Sequence, residues 1–185
     1  MEPDERQYLA AVLDARRRGD RGVMIGALTD PSARTIAARW LARVGETAAI
    51  PGLIRMLDAA DWGARMVAVM SLDRLGAEQA GERLLELAEQ DSHPSVRSWA
   101  IDAIANLSAS GRLEGHDIVS LLIDSLDDPE WKVRTGALVA LSKVGDGRAL
   151  EAIQRARRRE HGFKNKYLTR KAYRLALTRL RRRST

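Results

Sequence analysis

Four segments of this chain superimpose without gaps over sixteen residues, and a chain with an internal period of this kind has few ways to fold. The first runs Asp30-Pro31-Ser32-Ala33-Arg34, then Ala37, Leu41 and Gly45; the second runs Asp61-Trp62-Gly63-Ala64-Arg65, then Ala68, Leu72 and Gly76. The third is His93-Pro94-Ser95-Val96-Arg97 with Ala100 and Ile104, and the fourth is Glu130-Trp131-Lys132-Val133-Arg134 with Ala137, Leu141 and Gly145. A polar residue with Pro or Trp opens each segment, Ala and Leu three and seven places past Arg share one helical face, and Gly closes it. Each copy therefore predicts a capped amphipathic helix.

A second apolar segment follows every copy, at Ile50–Leu57, Glu82–Leu87, Ile118–Ile123 and Ala149–Ile153. The repeating unit is a helix pair, and the arginines recur at intervals of 31, 32 and 37 residues. A helical hairpin of this length cannot bury its apolar face alone, so the units must stack. The predicted fold is all-α, a short right-handed α-solenoid with terminal capping helices. Residues 1–29 form the N-terminal cap, 30–160 the four repeats, and 161–185 a basic C-terminal cap. Within the N-terminal cap, residues 5–18 read as a helix with Tyr8, Leu9, Val12 and Leu13 on one side, and residues 22–28 as its shorter partner. Composition agrees, because the 45% of hydrophobic residues include few aromatics, which make up only 4%.

The pattern Asp-Pro-x-x-Arg-x-x-Ala-x-x-x-Leu-x-x-x-Gly resembles the HEAT-like repeat of the phycobilisome-lyase type, from Asp30 to about Ile153. The third copy departs from it: Ser108 stands where Gly closes the others, and residues 106–116 make a longer connection containing Ser and Gly. The resemblance implies a helical array whose surface receives a partner. It also implies a structural task for Arg34, Arg65, Arg97 and Arg134, which in such repeats bond to carboxylates or helix ends of the neighbouring unit. Bilin lyases and DNA glycosylases share the fold, but no motif of theirs is matched residue by residue. Related helical-repeat hydroxylases bind iron through His-Glu pairs, and this chain has no His-Glu dipeptide.

The absence of Cys excludes disulfides, thiolate metal ligands and a cysteine nucleophile. His93, His116 and His161 have no second His at ligand spacing, so neither a metal nor a cofactor is expected. No Gly-x-Ser-x-Gly, phosphate loop or dinucleotide fingerprint occurs. The chain is accordingly expected to be non-enzymatic. An acidic N-terminus and the lack of a long apolar run point to a cytoplasmic protein without a membrane span.

Binding is expected at two places. Trp62 and Trp131 replace Pro at equivalent helix starts and form a candidate aromatic edge, whereas Trp40 and Trp99 fall within helices as packing residues. The stronger candidate is the basic end. From Arg148 onward there are 14 basic and 2 acidic residues, a net of +12, which leaves 17 basic and 23 acidic before it. Arg155, Arg157, Arg158 and Arg159 form a basic run before a break at Glu160-His161-Gly162. Lys164, Arg170, Lys171, Arg174, Arg181 and Arg182 gather opposite an apolar arc of Leu168, Ala172, Tyr173, Leu175, Ala176, Leu177 and Leu180, with Arg179 an exception inside that arc. The leading reading is a repeat scaffold or adaptor that binds a protein partner and uses this basic helix for attachment. The second reading makes the same residues a phosphate footprint for nucleic acid.

Overall fold

The computed structural model describes the backbone of residues 3–159 and 166–183 and the side chains of residues 6–158 and 171–180. Among these residues every regular element is helical, in the order the repeats predict. The chain divides into two compact units, Met1–Arg83 and Leu84–Thr185.

The first unit holds α1 (Pro3–Arg18), α2 (Arg21–Gly26), a 3-10 turn (Ala27–Thr29), α3 (Arg34–Arg43), α4 (Ile50–Met56) and α5 (Trp62–Leu75). Asp20 caps α2 by accepting from the Val23 N–H at 3.1 Å. The α1–α2 pair packs on α3, and Val12, Ala15 and Met24 are buried. Tyr8 is left exposed, because only the α1 positions facing α2 and α3 are covered. Along α3 the buried residues are Ala37, Ala38, Leu41 and Ala42, and α3 lies against α5, whose Ala64, Val67, Ala68 and Leu72 are buried. Small residues let elements approach closely. A Cβ at Gly52 of α4 would stand 2.7 Å from Leu28 Cδ1.

The second unit begins within α6 (Gly81–Gln90) and continues with α7 (Pro94–Ala109), α8 (Ile118–Asp124), α9 (Trp131–Val144), α10 (Gly147–Arg159) and α11 (Lys166–Arg183). The α7 and α9 helices meet so closely at Gly136 that an added Cβ would lie 3.0 Å from Ser98 Oγ. Against α9 and α10, α11 buries Ala172, Tyr173, Ala176, Leu177 and Leu180. Leu175 falls outside that arc and is 39% exposed.

The helix starts follow the sequence pattern with local differences. Asp61 accepts from Gly63 N at 3.2 Å and Ala64 N at 2.9 Å, while His93 Nδ1 accepts from Ser95 N at 3.2 Å. In the first copy residues 31–33 form a turn held by Asp30, so α3 starts only at Arg34. In the fourth, Glu130 makes no side-chain cap, and Asp128 instead accepts from the Glu130 N–H at 2.8 Å.

The closing glycines also divide. Gly45 and Gly76 adopt φ of 73° and 59°, the left-handed conformation that ends a helix. In the third copy α7 runs on to Ala109, Ser110 Oγ donates to Asn106 O at 3.0 Å and to Leu107 O at 2.9 Å, and Gly111 takes φ 69°. The closure is displaced by about a turn rather than lost, and the connection narrows to residues 110–117. Gly145 is different, with φ −62° and ψ 151°. A Cβ there would run into the Leu141 carbonyl oxygen and stand 3.0 Å from Leu180 Cδ2, so its smallness admits α11.

The recurring arginines bind the turns that precede their own helices. Arg65 Nη1 donates to the carbonyls of Ala59 (2.8 Å) and Ala60 (3.0 Å), Arg97 Nη1 to Asp91 O (2.7 Å), and Arg134 Nη1 to Asp128 O (2.7 Å) and Pro129 O (2.8 Å). Each guanidinium thus satisfies carbonyls of the turn entering its own helix. Arg97 also reaches the following turn, where Nε and Nη2 donate to Asp128 at 2.9 and 3.0 Å, with both side chains 12% exposed. That bidentate bond holds the Arg97 pKa above its usual value. The side chain that occupies the Asp128 position relative to Arg34 is Ala59, and the buried Arg34 Nε has no hydrogen-bond partner.

Two stability changes are expected, both read by chemical denaturation. Arg97→Met leaves Asp128 poorly exposed and stripped of its bidentate donor, and costs about 3 kcal/mol. Ala59→Asp supplies Arg34 with the carboxylate that Arg97 already has, and raises stability by about 1 kcal/mol.

Candidate functional site

The charged end of the chain is set by which faces α10 and α11 bury. On α10, Ala149, Ala152, Ile153 and Ala156 turn inward, which leaves Arg155, Arg157 and Arg158 exposed. Arg155 is engaged by Glu151 one turn earlier, at 2.7 Å. On α11, Lys171 and Arg174 are exposed opposite the buried arc, and neither they nor Arg157 and Arg158 form an ion pair among the described residues. Arg159, Arg170, Arg181 and Arg182 belong to these helices, but their side chains lie outside the described residues, as does the whole of Lys164. Arg179, expected inside the apolar arc, is exposed and reaches Ser142 Oγ at 3.5 Å.

Trp62 and Trp131 each stand at the first position of a repeat helix. Trp62 is 43% exposed, and Trp131 is half-buried. Trp99 corrects the packing role expected of it: it is 39% exposed on α7, because the inward face is filled by Val96, Ala100, Ala103 and Ile104. Leu175 and Trp99 were both hidden from sequence reading by a broad apolar arc, and only the phase of the buried neighbours separates them from the core.

A charged cluster that the sequence did not single out lies where α8 meets α10. Asp117 caps α8 by accepting from Ser120 N at 3.2 Å and Ser120 Oγ at 2.7 Å. Arg148 donates Nη1 and Nη2 to the two Asp117 oxygens at 2.7 and 2.9 Å, and Nε and Nη2 to Asp146. The hydrogen bonds from Arg148, then those from Ser120, hold the Asp117 carboxyl far below its usual value, and Arg148 also lowers Asp146. The Arg148 fork fastens the end of the 110–117 connection to the start of α10.

Among the described residues no group of three or more His, Asp or Glu side chains comes together as a metal site, and no helix is long and apolar enough to cross a membrane.

Comparison with known proteins places these features. The family model for HEAT repeats matches residues 23–105 and 81–173. Among curated proteins, the phycocyanobilin lyase subunit beta of Nostoc sp. is 31% identical over 119 residues, 60% of this chain and 58% of its own length. The phycobilisome maturation protein of Synechococcus elongatus is 31% identical over 131 residues, 66% of this chain and 62% of its own length. The chain spans about three fifths of the length of the curated relatives it matches. Among solved structures, a designed armadillo repeat protein in complex with the peptide (KR)4 superimposes with a TM-score of 0.65 at 18% identity, over 93% of this chain and 86% of that one. That likeness is one of fold, an all-α solenoid of repeats.

The curated relatives correct the expectation of a non-enzymatic chain, since one of them is a lyase subunit. The motifs sought in the sequence belong to nucleophile, phosphate and metal chemistry, which leave local signatures.

The Arg148 cluster sets a pH dependence. Asp117 has its folded pKa depressed, so its contribution is complete above the ordinary value of 3.8 and is lost as pH falls toward the folded value. Thermal melting between neutral pH and pH about 2 is expected to fall less steeply in Asp117→Asn than in the parent, with the difference confined to the acid limb.

Proposed function

The chain belongs to the HEAT-repeat family, and on that premise we propose that it serves as a protein-holding subunit in a lyase-type maturation step. The observation that carries this reading is the 31% identity to a phycocyanobilin lyase subunit and to a phycobilisome maturation protein, over 119 and 131 residues. Stacked hairpins offer an extended surface on which a folded polypeptide is held while a small group is delivered to it.

In this reading the parts divide the work. Residues 1–29 cap the array, residues 30–160 hold the partner, and residues 161–185 close the array and aid attachment. The exposed Trp62 and half-buried Trp131 serve as aromatic anchors. Arg155, Arg157, Arg158, Lys171 and Arg174 steer an acidic partner toward the end of the array. The relatives lend no support to the nucleic-acid reading of these cations.

The test is an attachment assay. The purified chain is mixed with phycocyanobilin and an apo-subunit of the phycobilisome, alone and together with the second subunit of the Nostoc lyase. Covalent chromophore is then read by absorbance of the denatured acceptor. Attachment is expected to exceed the background without the chain, and to drop in Trp62→Ser/Trp131→Ser. Background-level attachment in both mixtures would overturn the proposal.

A further inference from the structure

The exposed side of α11 carries an ordered pattern that capping does not require. Lys171, Arg174, Leu175 and Thr178 are spaced i, i+3, i+4 and i+7, so they form one row along the helix, and Arg179 flanks Leu175 one turn on. All five are exposed, while Ala172, Tyr173, Ala176, Leu177 and Leu180 fill the opposite, buried side. Leu175, at 39% exposure, therefore sits among three cations rather than against the core. No Asp or Glu occurs anywhere in α11, so the helix offers these cations no carboxylate of its own.

Granted the protein-holding role proposed above, we infer that this face of α11 docks an acidic helical segment of the partner protein, with an apolar residue seated on Leu175 and carboxylates on Lys171, Arg174 and Arg179. The charge complement requires an anionic partner. The apolar centre selects its kind. A phosphate backbone has nothing to cover Leu175 and gains nothing from it, since its affinity comes from cations and counterion release. A bilayer surface demands a broad apolar face, and the broad apolar face of α11 is spent on α9 and α10. A row about 10 Å long, with cations around one leucine, matches two turns of a helix that carries Glu residues around one leucine.

The probe is a synthetic helical peptide with Leu framed by Glu at i−4, i−3 and i+4, labelled for fluorescence anisotropy. Its comparators are the same peptide with Gln for Leu, duplex DNA, and vesicles of phosphatidylcholine with phosphatidylserine. Full-length protein, Leu175→Ser and Lys171→Gln/Arg174→Gln are compared, with circular dichroism to verify that these exposed changes leave the helices intact. The Glu/Leu peptide is expected to bind the parent, and to lose about tenfold in affinity with either variant and with the leucine-free peptide.

Equal binding of the leucine-free peptide, indifference to Leu175→Ser, stronger retention of DNA or vesicles, or no peptide binding would each overturn the assignment. Concentration-dependent dimerisation abolished by the same variants would give the face to a second copy and also overturn it. Failure of peptide binding with chromophore attachment intact would remove this docking face alone. Peptide binding without attachment activity would remove the lyase-type role and leave the face standing.

Discussion

A guanidinium reaching back to the carbonyls of the turn before its own helix is the constraint on which the repeats depend. A turn between two helices leaves carbonyls that no helix satisfies, and burying them unpaired is costly. Arg65, Arg97 and Arg134 meet this need at the same place in successive copies, with Nη1 to oxygen distances between 2.7 and 3.0 Å. In Arg97 the remaining donors face the next turn. Asp128 then serves two purposes at once, accepting from Arg97 and from the Glu130 N–H that opens α9. The spacing of the arginines thus reflects turn chemistry as much as apolar packing.

A second basic position, nine residues further along the same helices, acts at the other end. Arg74 Nε donates to Ala42 O at 3.2 Å, and Lys143 Nζ reaches Asp102 at 2.5 Å and Asn106 Oδ1 at 2.9 Å. The α3–α5 and α7–α9 pairs are therefore tied near their carboxyl ends, and α7 is tied also to the turn before α9 through Arg97 and Asp128. Between these ties, small residues such as Ala37, Ala68 and Gly136 let the helices approach.

How far the fold was legible follows from which signals are local. Three of the four starts, the second helices and the N-terminal pair were readable, because a cap, an apolar period and a closing glycine lie within about four turns of one helix, whereas α3 starts at Arg34 only after a turn at residues 31–33. The exceptions are the places where a distant element decides. Gly145 matches the closing pattern in sequence yet has an extended conformation, because Leu180 of α11 comes against it. Residues 106–109 match the start of a connection but remain helical, because Ser110 and Gly111 supply the stop one turn later. The candidate site was legible only in part. The positive charge was plain in composition, but the sorting of Leu175 from Leu177 and of Trp99 from Ile101 depends on the phase in which each helix meets its neighbour.

This division also explains why charge inside the repeats and charge at the end have different uses. Arg97 is bound by geometry to Asp91 O and Asp128, and its guanidinium has little left to offer a ligand. A ladder of such side chains stiffens turns and does not form a track for a polyanion. Positive charge is concentrated on α10 and α11, where Arg157, Arg158, Lys171 and Arg174 are exposed and form no ion pair among the described residues. The two sides of α11 differ: the apolar side packs against α9 and α10, and Lys171, Arg174 and Arg179 lie on the exposed side.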